Sequence, residues 1–210
     1  MGAPEVRRRP GGRSARVREA VLDAAIQVLL ARGLADFRIA AVATLAGVHE
    51  TSIYRRWGSR EGVLLDALLR TTEHELRVPD TGRLRDDLVA YAVALAAFLA
   101  TPVGRALDQV LALGDDLPAM AEARRRFWAE RSAGSVAMVT RAIGRGELPD
   151  TVDPRLTVEM LVGPVHFRLL LAREPVDAGW ARRLVDALLR GIMTSEVMAT
   201  VPAPPYRPGP

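Results

Sequence analysis

Between Thr51 and Arg55 the chain sets two hydroxyls, a phenol and a guanidinium around one apolar residue: Thr51, Ser52, Tyr54 and Arg55 about Ile53. Closely spaced hydroxyl and guanidinium groups can read the edges of nucleic-acid bases, Arg through a forked pair of hydrogen bonds that Lys cannot match. Thr51, Ser52 and Arg55 are therefore candidates for base-edge contact. To act together they need a rigid helix that turns them outward. On a short helix from Glu50 to Arg56, the face away from Val48 and Ile53 presents Glu50, Thr51, Ser52, Tyr54 and Arg55. A preceding helical pattern, Val42, Ala43 and Ala46, stops at Gly47. Gly47 stands where the chain must turn with positive φ, which only Gly adopts cheaply, and the small Ala43 lets two helices approach. Two helices meeting steeply at a Gly-containing turn form a helix-turn-helix, whose second helix is shaped to enter a DNA major groove.

Charge supports this reading. All 29 basic residues are Arg, and neither Lys nor Asn occurs. Residues 1–60 hold 11 Arg against 5 acids, and residues 61–210 hold 18 Arg against 20 acids. A net charge of +4 thus conceals a basic N-terminal third beside a near-neutral remainder, the footprint of a polyanion-binding module joined to something else. Arg38 and Arg60 lie beside helix N-termini, where free backbone N–H groups already favour anions, and both are candidates for phosphate contact. His49 is placed to cap the recognition helix or touch phosphate. Arg7, Arg8, Arg9 and Arg13 can reach flanking DNA nonspecifically. Trp57 reads as core, wedging the third helix against the first and fourth.

Other chemistries lack their residues. With 0 Cys there is no disulfide scaffold, thiolate metal site or cysteine nucleophile. None of His49, His74 and His166 follows a Glu by three positions, as a di-iron bundle would require. No phosphate loop or nucleophile elbow is present, so neither an enzyme activity nor a cofactor or metal is expected. Arg7 to Arg9 lead into Pro and Gly instead of an apolar run, so no signal peptide is read. The nearest approach to a membrane span, Leu88 to Val103, falls short of the ~18 residues needed, and the expectation is a soluble cytoplasmic protein.

The elements that carry these groups read as helices almost throughout, giving an all-α class of about nine helices. A Pro-, Gly- and Arg-rich segment, residues 1–12, is expected to be a disordered basic arm, and residues 197–210 a disordered Pro-rich tail. Helices are expected at Arg13–Arg32, Ile39–Ala46, Glu50–Arg56 and from Arg60, with Ser59 as its cap. The Pro79–Gly82 break separates a helix-turn-helix domain, residues 13–78, from a larger helical domain, residues 79–196. There, helices are expected at Leu84–Ala100, Val103–Leu113, Pro118–Ile143, Pro154–Ala172 and Asp177–Thr194. Gly163-Pro164 should kink the helix that contains it. That helix is apolar on nearly every side, and the last repeats the pattern with Trp180, Leu184-Val185, Leu188-Leu189 and Ile192-Met193. Such helices need covering all round, which a twofold copy provides as a four-helix homodimer interface.

Gly33, Ile39, Val42-Ala43, Ala46-Gly47-Val48, Ser52-Ile53-Tyr54 and Trp57-x-Ser59-Arg60 resemble, in order and spacing, the N-terminal domain of tetracycline-repressor-type (TetR) regulators. That match spans residues 13–65, and the rest is similar to the family in layout. The chain departs from the usual pattern at Arg38, where Thr or Ser commonly caps the second helix, at His49, where Ser opens the third, and at Arg60, which replaces Lys. The resemblance implies that Tyr54 binds phosphate through its hydroxyl. It also implies a small-molecule cavity among the central helices, with Tyr91, Phe98, Met120, Phe127, Trp128, Met138, His166 and Phe167 as candidate lining residues. Their character points to an apolar or aromatic ligand. The expectation is a homodimeric, sequence-specific DNA-binding transcriptional regulator, a repressor released from its operator by such a ligand. The alternative is a DNA-binding activator or architectural protein without an effector.

Overall fold

The structure, a computed structural model, describes residues 12–112 and 118–193. The expected arm, apart from Gly12, and the expected tail lie outside the described residues, and so do Arg7, Arg8 and Arg9. Nine α-helices are found among the described residues: α1 (Gly12–Arg32), α2 (Ile39–Ala46), α3 (Glu50–Trp57), α4 (Arg60–Glu75), α5 (Leu84–Leu99), α6 (Pro102–Ala112), α7 (Pro118–Gly144), α8 (Pro154–His166) and α9 (Ala178–Met193). A π-helical stretch, Phe167–Leu171, follows α8 directly, and no strand occurs among the described residues. This is the all-α class that the periodicity implies. No single helix among the described residues is long and apolar enough to cross a membrane.

The described chain divides into two compact units, one of residues 12–77 with 97–112 and 118–133, the other of residues 78–96 with 134–193. The first unit holds the basic module. Val21, Ala24, Ala25, Val28 and Leu29 recur at helical spacing along α1 and are buried, together with Phe37, Ile39 and Val42, Ile53 of α3, and Val63, Leu64, Ala67 and Leu68 of α4. Each large apolar side chain so buried is worth roughly 1.5–3 kcal/mol. Helix α1 packs against α2, α4 and α6, and α3 packs against α2 and α4. Arg70 on α4 forms ion pairs with both Glu19 and Asp23 on α1. Burial opposes its charge, but those two carboxylates outweigh burial and hold the guanidinium above its ordinary pKa.

The joint between α3 and α4 is tight. Ser59 caps α4 as its type suggests, its Oγ accepting from the Gly62 N–H at 3.0 Å. A Cβ on Gly62 would stand 2.5 Å from the carbonyl oxygen of Trp57, so that only Gly lets the two backbones pass. Gly62→Ala is therefore expected to cost about 1–3 kcal/mol, as overpacking against backbone does. The thermal unfolding midpoint checks this, and an unchanged midpoint would show that the joint yields freely.

In the second unit, Asp87 is buried and its Oδ1 accepts from both the Thr81 N–H and hydroxyl at 2.7 Å, closing the turn before α5. Glu147 Oε2 accepts from the Leu84 N–H at 2.7 Å, capping α5 from a distant loop. Arg85 bonds Asp186 through two nitrogens, at 2.7 and 3.1 Å, tying α5 to α9. Helix α8 buries Val158, Leu161 and Val165, while α9, which packs on it, buries Ala181, Val185 and Leu188. The opposite side of α8 and its continuation leaves Leu156, Met160, Phe167 and Leu171 exposed, the last two at 61% and 72%. At Gly163-Pro164, where a kink is expected, the change that follows is one of helix type. The chain stays α-helical through Pro164 and then widens into the π-helical stretch. A Pro inside a helix removes one N–H from the ladder, and a π turn is one way for the next residues to re-register.

Candidate nucleic-acid interface

Helix α2 ends in the geometry that its sequence calls for. Gly47 has φ 65° and ψ 36°, its N–H bonds the Thr44 carbonyl at 3.3 Å, and the Val48 N–H bonds the Ala43 carbonyl at 3.0 Å. This paired closure satisfies the last carbonyls of α2 and sends the chain abruptly into α3. Ala43 is buried at the crossing. Helix α3 turns one side inward through Ile53, which is 1% exposed.

The outward side is the one expected to read DNA. Thr51 and Arg55 are exposed, Ser52 is half-buried, and Tyr54 is 46% exposed. Ile53 anchors the helix between them, so that Thr51 and Arg55 stand about one turn apart on a single rigid surface. His49 occupies the N-cap position of α3 but makes no capping hydrogen bond and is exposed. Arg38 holds the corresponding position on α2, also without a side-chain cap, as a guanidinium with no acceptor must. Both helices thus begin with side-chain-uncapped amides, a setting that favours an anion.

Tertiary structure brings Arg60 to Arg38. Arg38 Nη1 donates to the carbonyls of Ala35 at 2.6 Å and Phe37 at 3.2 Å, and Arg60 Nη1 donates to the same Phe37 carbonyl at 3.3 Å. Arg60 Nε also bonds Glu61 at 3.0 Å. Arg60 is thus partly engaged in holding the loop before α2, whereas Arg38 is exposed. Arg56, which the residue pattern leaves without a role, donates to Ser14 Oγ at 3.1 Å and lies 5.4 Å from the Trp57 ring.

One feature of the site escapes a reading of residue spacing. Asp66 on α4 receives the Trp57 indole N–H at 2.8 Å and both bonds of an Arg18 guanidinium nitrogen at 2.8 and 3.0 Å. A single carboxylate therefore ties α1, α3 and α4 together. Trp57, expected in the core, is half-buried instead, and its indole N–H ties it to α4 through Asp66. The signal available in the sequence is Asp66 itself, an acid interrupting the apolar run Val63 to Leu69.

The candidate ligand-lining residues belong to both units. In the first unit Phe98, Met120 and Phe127 are buried and Trp128 is exposed, its ring edge-on to Phe127 at 5.4 Å. In the second, Tyr91 and Met138 are buried, Phe167 is exposed, and His166 is half-buried with Nδ1 3.0 Å from the Val162 carbonyl. A cavity of about 330 Å³ in the first unit is lined by Trp57, Gly58, Ser59, Gly62, Leu65, Asp66, Leu69, Glu122, Ala123, Arg126 and Phe127. Of the eight candidates, only Phe127 is among those lining residues.

Comparison with known proteins accords with this geometry. Residues 21–67, which include α2, α3 and their turn, match the family described as bacterial regulatory proteins, tetR family. Residues 78–188 match the tetracyclin repressor-like C-terminal domain. The chain belongs to the TetR family of transcriptional regulators. Among its relatives is the helix-turn-helix-type transcriptional regulator AqdR of Rhodococcus erythropolis, 36% identical over 179 residues, covering 85% of this chain and 86% of that one. The DNA-binding transcriptional repressor TetR of Mycobacteroides abscessus is 34% identical over 179 residues, covering 81% and 90%. A TetR family transcription regulator of known crystal structure superimposes with a TM-score of 0.74 at 34% identity, covering 84% of this chain and 98% of its own. This TetR-family chain is a regulator with an N-terminal helix-turn-helix DNA-binding domain, and its relatives are regulators, not enzymes.

Proposed function

We propose that this TetR-family regulator acts as a homodimeric repressor: residues 13–78 grip an operator, residues 79–196 dimerise and bind a small apolar or aromatic effector, and the effector releases the DNA. The observation that carries the DNA half is the outward face of α3, where Thr51, Tyr54 and Arg55 stand exposed beside two helix N-termini without side-chain caps. In this assignment Thr51, Ser52 and Arg55 read base edges. Tyr54, Arg38, Arg60 and His49 position the protein on phosphates. The relative from Mycobacteroides abscessus is a repressor, which supports that sign of regulation. An effector can act only by binding the DNA-competent and DNA-incompetent states with different affinity.

The dimer reading rests on α8 and its continuation. Leu156, Met160, Phe167 and Leu171 leave an apolar stripe open to solvent, which a second copy would cover together with α9. Phe167→Glu is expected to weaken self-association at least about tenfold, because a charge then meets a dehydrated face. Sedimentation across a range of concentrations measures this, and an unaltered dimer would refute the α8 assignment.

The DNA assignment is tested by selecting duplexes from a random pool with the full-length protein, then measuring affinity against salt. Binding should fall with a log–log slope of roughly −0.9 for each phosphate neutralised. A salt-insensitive complex would contradict the Arg assignments. Selected sequences should also be palindromic, since a twofold protein presents two copies of α3.

A further inference from the structure

The cavity in the first unit lies against the joint that fixes the recognition helix. Its wall includes Trp57 at the end of α3, Gly58 and Ser59 of the link, and Gly62, Leu65, Asp66 and Leu69 of α4. Glu122, Ala123, Arg126 and Phe127 of α7 complete it. Both partners of the bond that pins α3 to α4, the Trp57 indole N–H and the Asp66 carboxylate, thus line one space. At about 330 Å³ it falls within the range of small-molecule sites.

Its chemistry is uneven. Trp57, Leu65, Leu69, Ala123 and Phe127 supply apolar and aromatic walls. The charges are two acids and one base, and most are already matched. Asp66 is met by Arg18 at 2.8 Å, and Arg126 by Glu130 at 2.7 Å. Glu122 is the one lining charge without an ion pair among the described residues. An apolar, aromatic wall with a carboxylate lacking an ion pair at its exposed rim favours an aromatic body bearing a single positive charge.

We propose that this cavity is an effector site for a small monocationic aromatic molecule, whose ring lies against Trp57 and Phe127 and whose charge meets Glu122. A ring seated against Trp57 acts on the side chain whose indole N–H Asp66 holds, and so loosens the end of α3 directly. Of the residues that the family resemblance implies for a central-helix cavity, this site shares Phe127 alone. The inference rests on α3 being the DNA-reading helix.

The probes are 1-naphthylmethylammonium, its neutral analogue 1-naphthalenemethanol, and the anion 1-naphthoate. Each is titrated into the full-length protein, with the indole N–H resonance of Trp57 observed by NMR. The cation should bind at least about tenfold more tightly than either analogue, a difference worth about 1.4 kcal/mol. It should shift the Trp57 indole signal and, at saturation, weaken binding to a duplex selected as above at least about tenfold. Glu122→Gln, at an exposed position, should abolish the preference for the cation while leaving 1-naphthalenemethanol binding unchanged. Equal affinity for the three probes, a preference that survives Glu122→Gln, a stationary Trp57 signal, or undiminished duplex affinity at saturating cation would each overturn the proposal. If the duplex binds and the cation does not, only the effector site falls. If no duplex can be selected, the reading of α3 falls with it.

Discussion

Replacing Tyr54 and Arg55 together by alanine should lower affinity for the selected duplex about a hundredfold, since a good bidentate base contact is worth about 1–3 kcal/mol and a phosphate hydrogen bond adds to it. Neither substitution should harm the fold. Tyr54 is 46% exposed and Arg55 is exposed, without an ion pair or hydrogen bond among the described residues. Ile53 beneath them is untouched, and so is the closure of α3, where the Gly58 N–H bonds the Tyr54 backbone carbonyl at 2.8 Å. Alanine is also the better helix former, so thermal stability should stay within about 0.5 kcal/mol, as exposed substitutions usually do. Competition binding beside a melting curve separates the two effects. A double variant that grips its duplex like the parent would remove α3 from the recognition role, whatever else the protein binds.

Asp66→Ala should do the reverse, damaging the framework first and binding as a consequence. The carboxylate is 14% exposed and holds both Trp57 and an Arg18 side chain that is 33% exposed. Removing it leaves a partly desolvated guanidinium and an indole N–H without their acceptor. Breaking a fully buried pair costs roughly 3–5 kcal/mol, and the partial exposure of Arg18 brings the expectation down to about 2–3 kcal/mol. For a chain of this size that lowers the melting midpoint by roughly 5–10 °C. Asp66→Asn keeps an acceptor for Trp57 but loses the charge that Arg18 needs, so about half of the loss should return. A midpoint unmoved by Asp66→Ala would show that α3 is held by packing through Ile53 alone.

The two experiments probe different layers of one device. Thr51, Tyr54 and Arg55 face outward because Ile53 and Trp57 face inward, and Trp57 keeps its orientation because Asp66 accepts its N–H. A regulator must hold its reading surface to well within a hydrogen-bond length, because specificity is lost when a fork slides off its base edge. A charge-assisted tie among three helices gives that precision at one residue. It also makes the joint a place where a small change can be felt by the outward face of α3.

Much of this was open to a reading of residues in order. Helix ends at Gly33, Gly47 and Ser59, the inward pattern along α1, and the outward hydroxyl and guanidinium groups of α3 are all short-range facts. They follow from φ preferences, capping and a period of 3.6, which act among residues a few positions apart. The family was legible for the same reason, since its motif lies within one contiguous stretch. Folding alone decided which distant residues meet. Arg18 and Asp66 stand 48 positions apart, Arg60 reaches the Phe37 carbonyl across 23, and Trp57 and Phe127 line the same cavity from separate helices. Nothing local distinguishes an Arg on α1 that finds a carboxylate from one that stays solvated. Likewise, identical phenylalanine side chains became buried Phe98 and Phe127 but exposed Phe167, because burial depends on what packs opposite each helix face. Local stereochemistry wrote the helices and their turn into the chain, whereas the anchoring carboxylate and the cavity beside it exist only once the helices have packed.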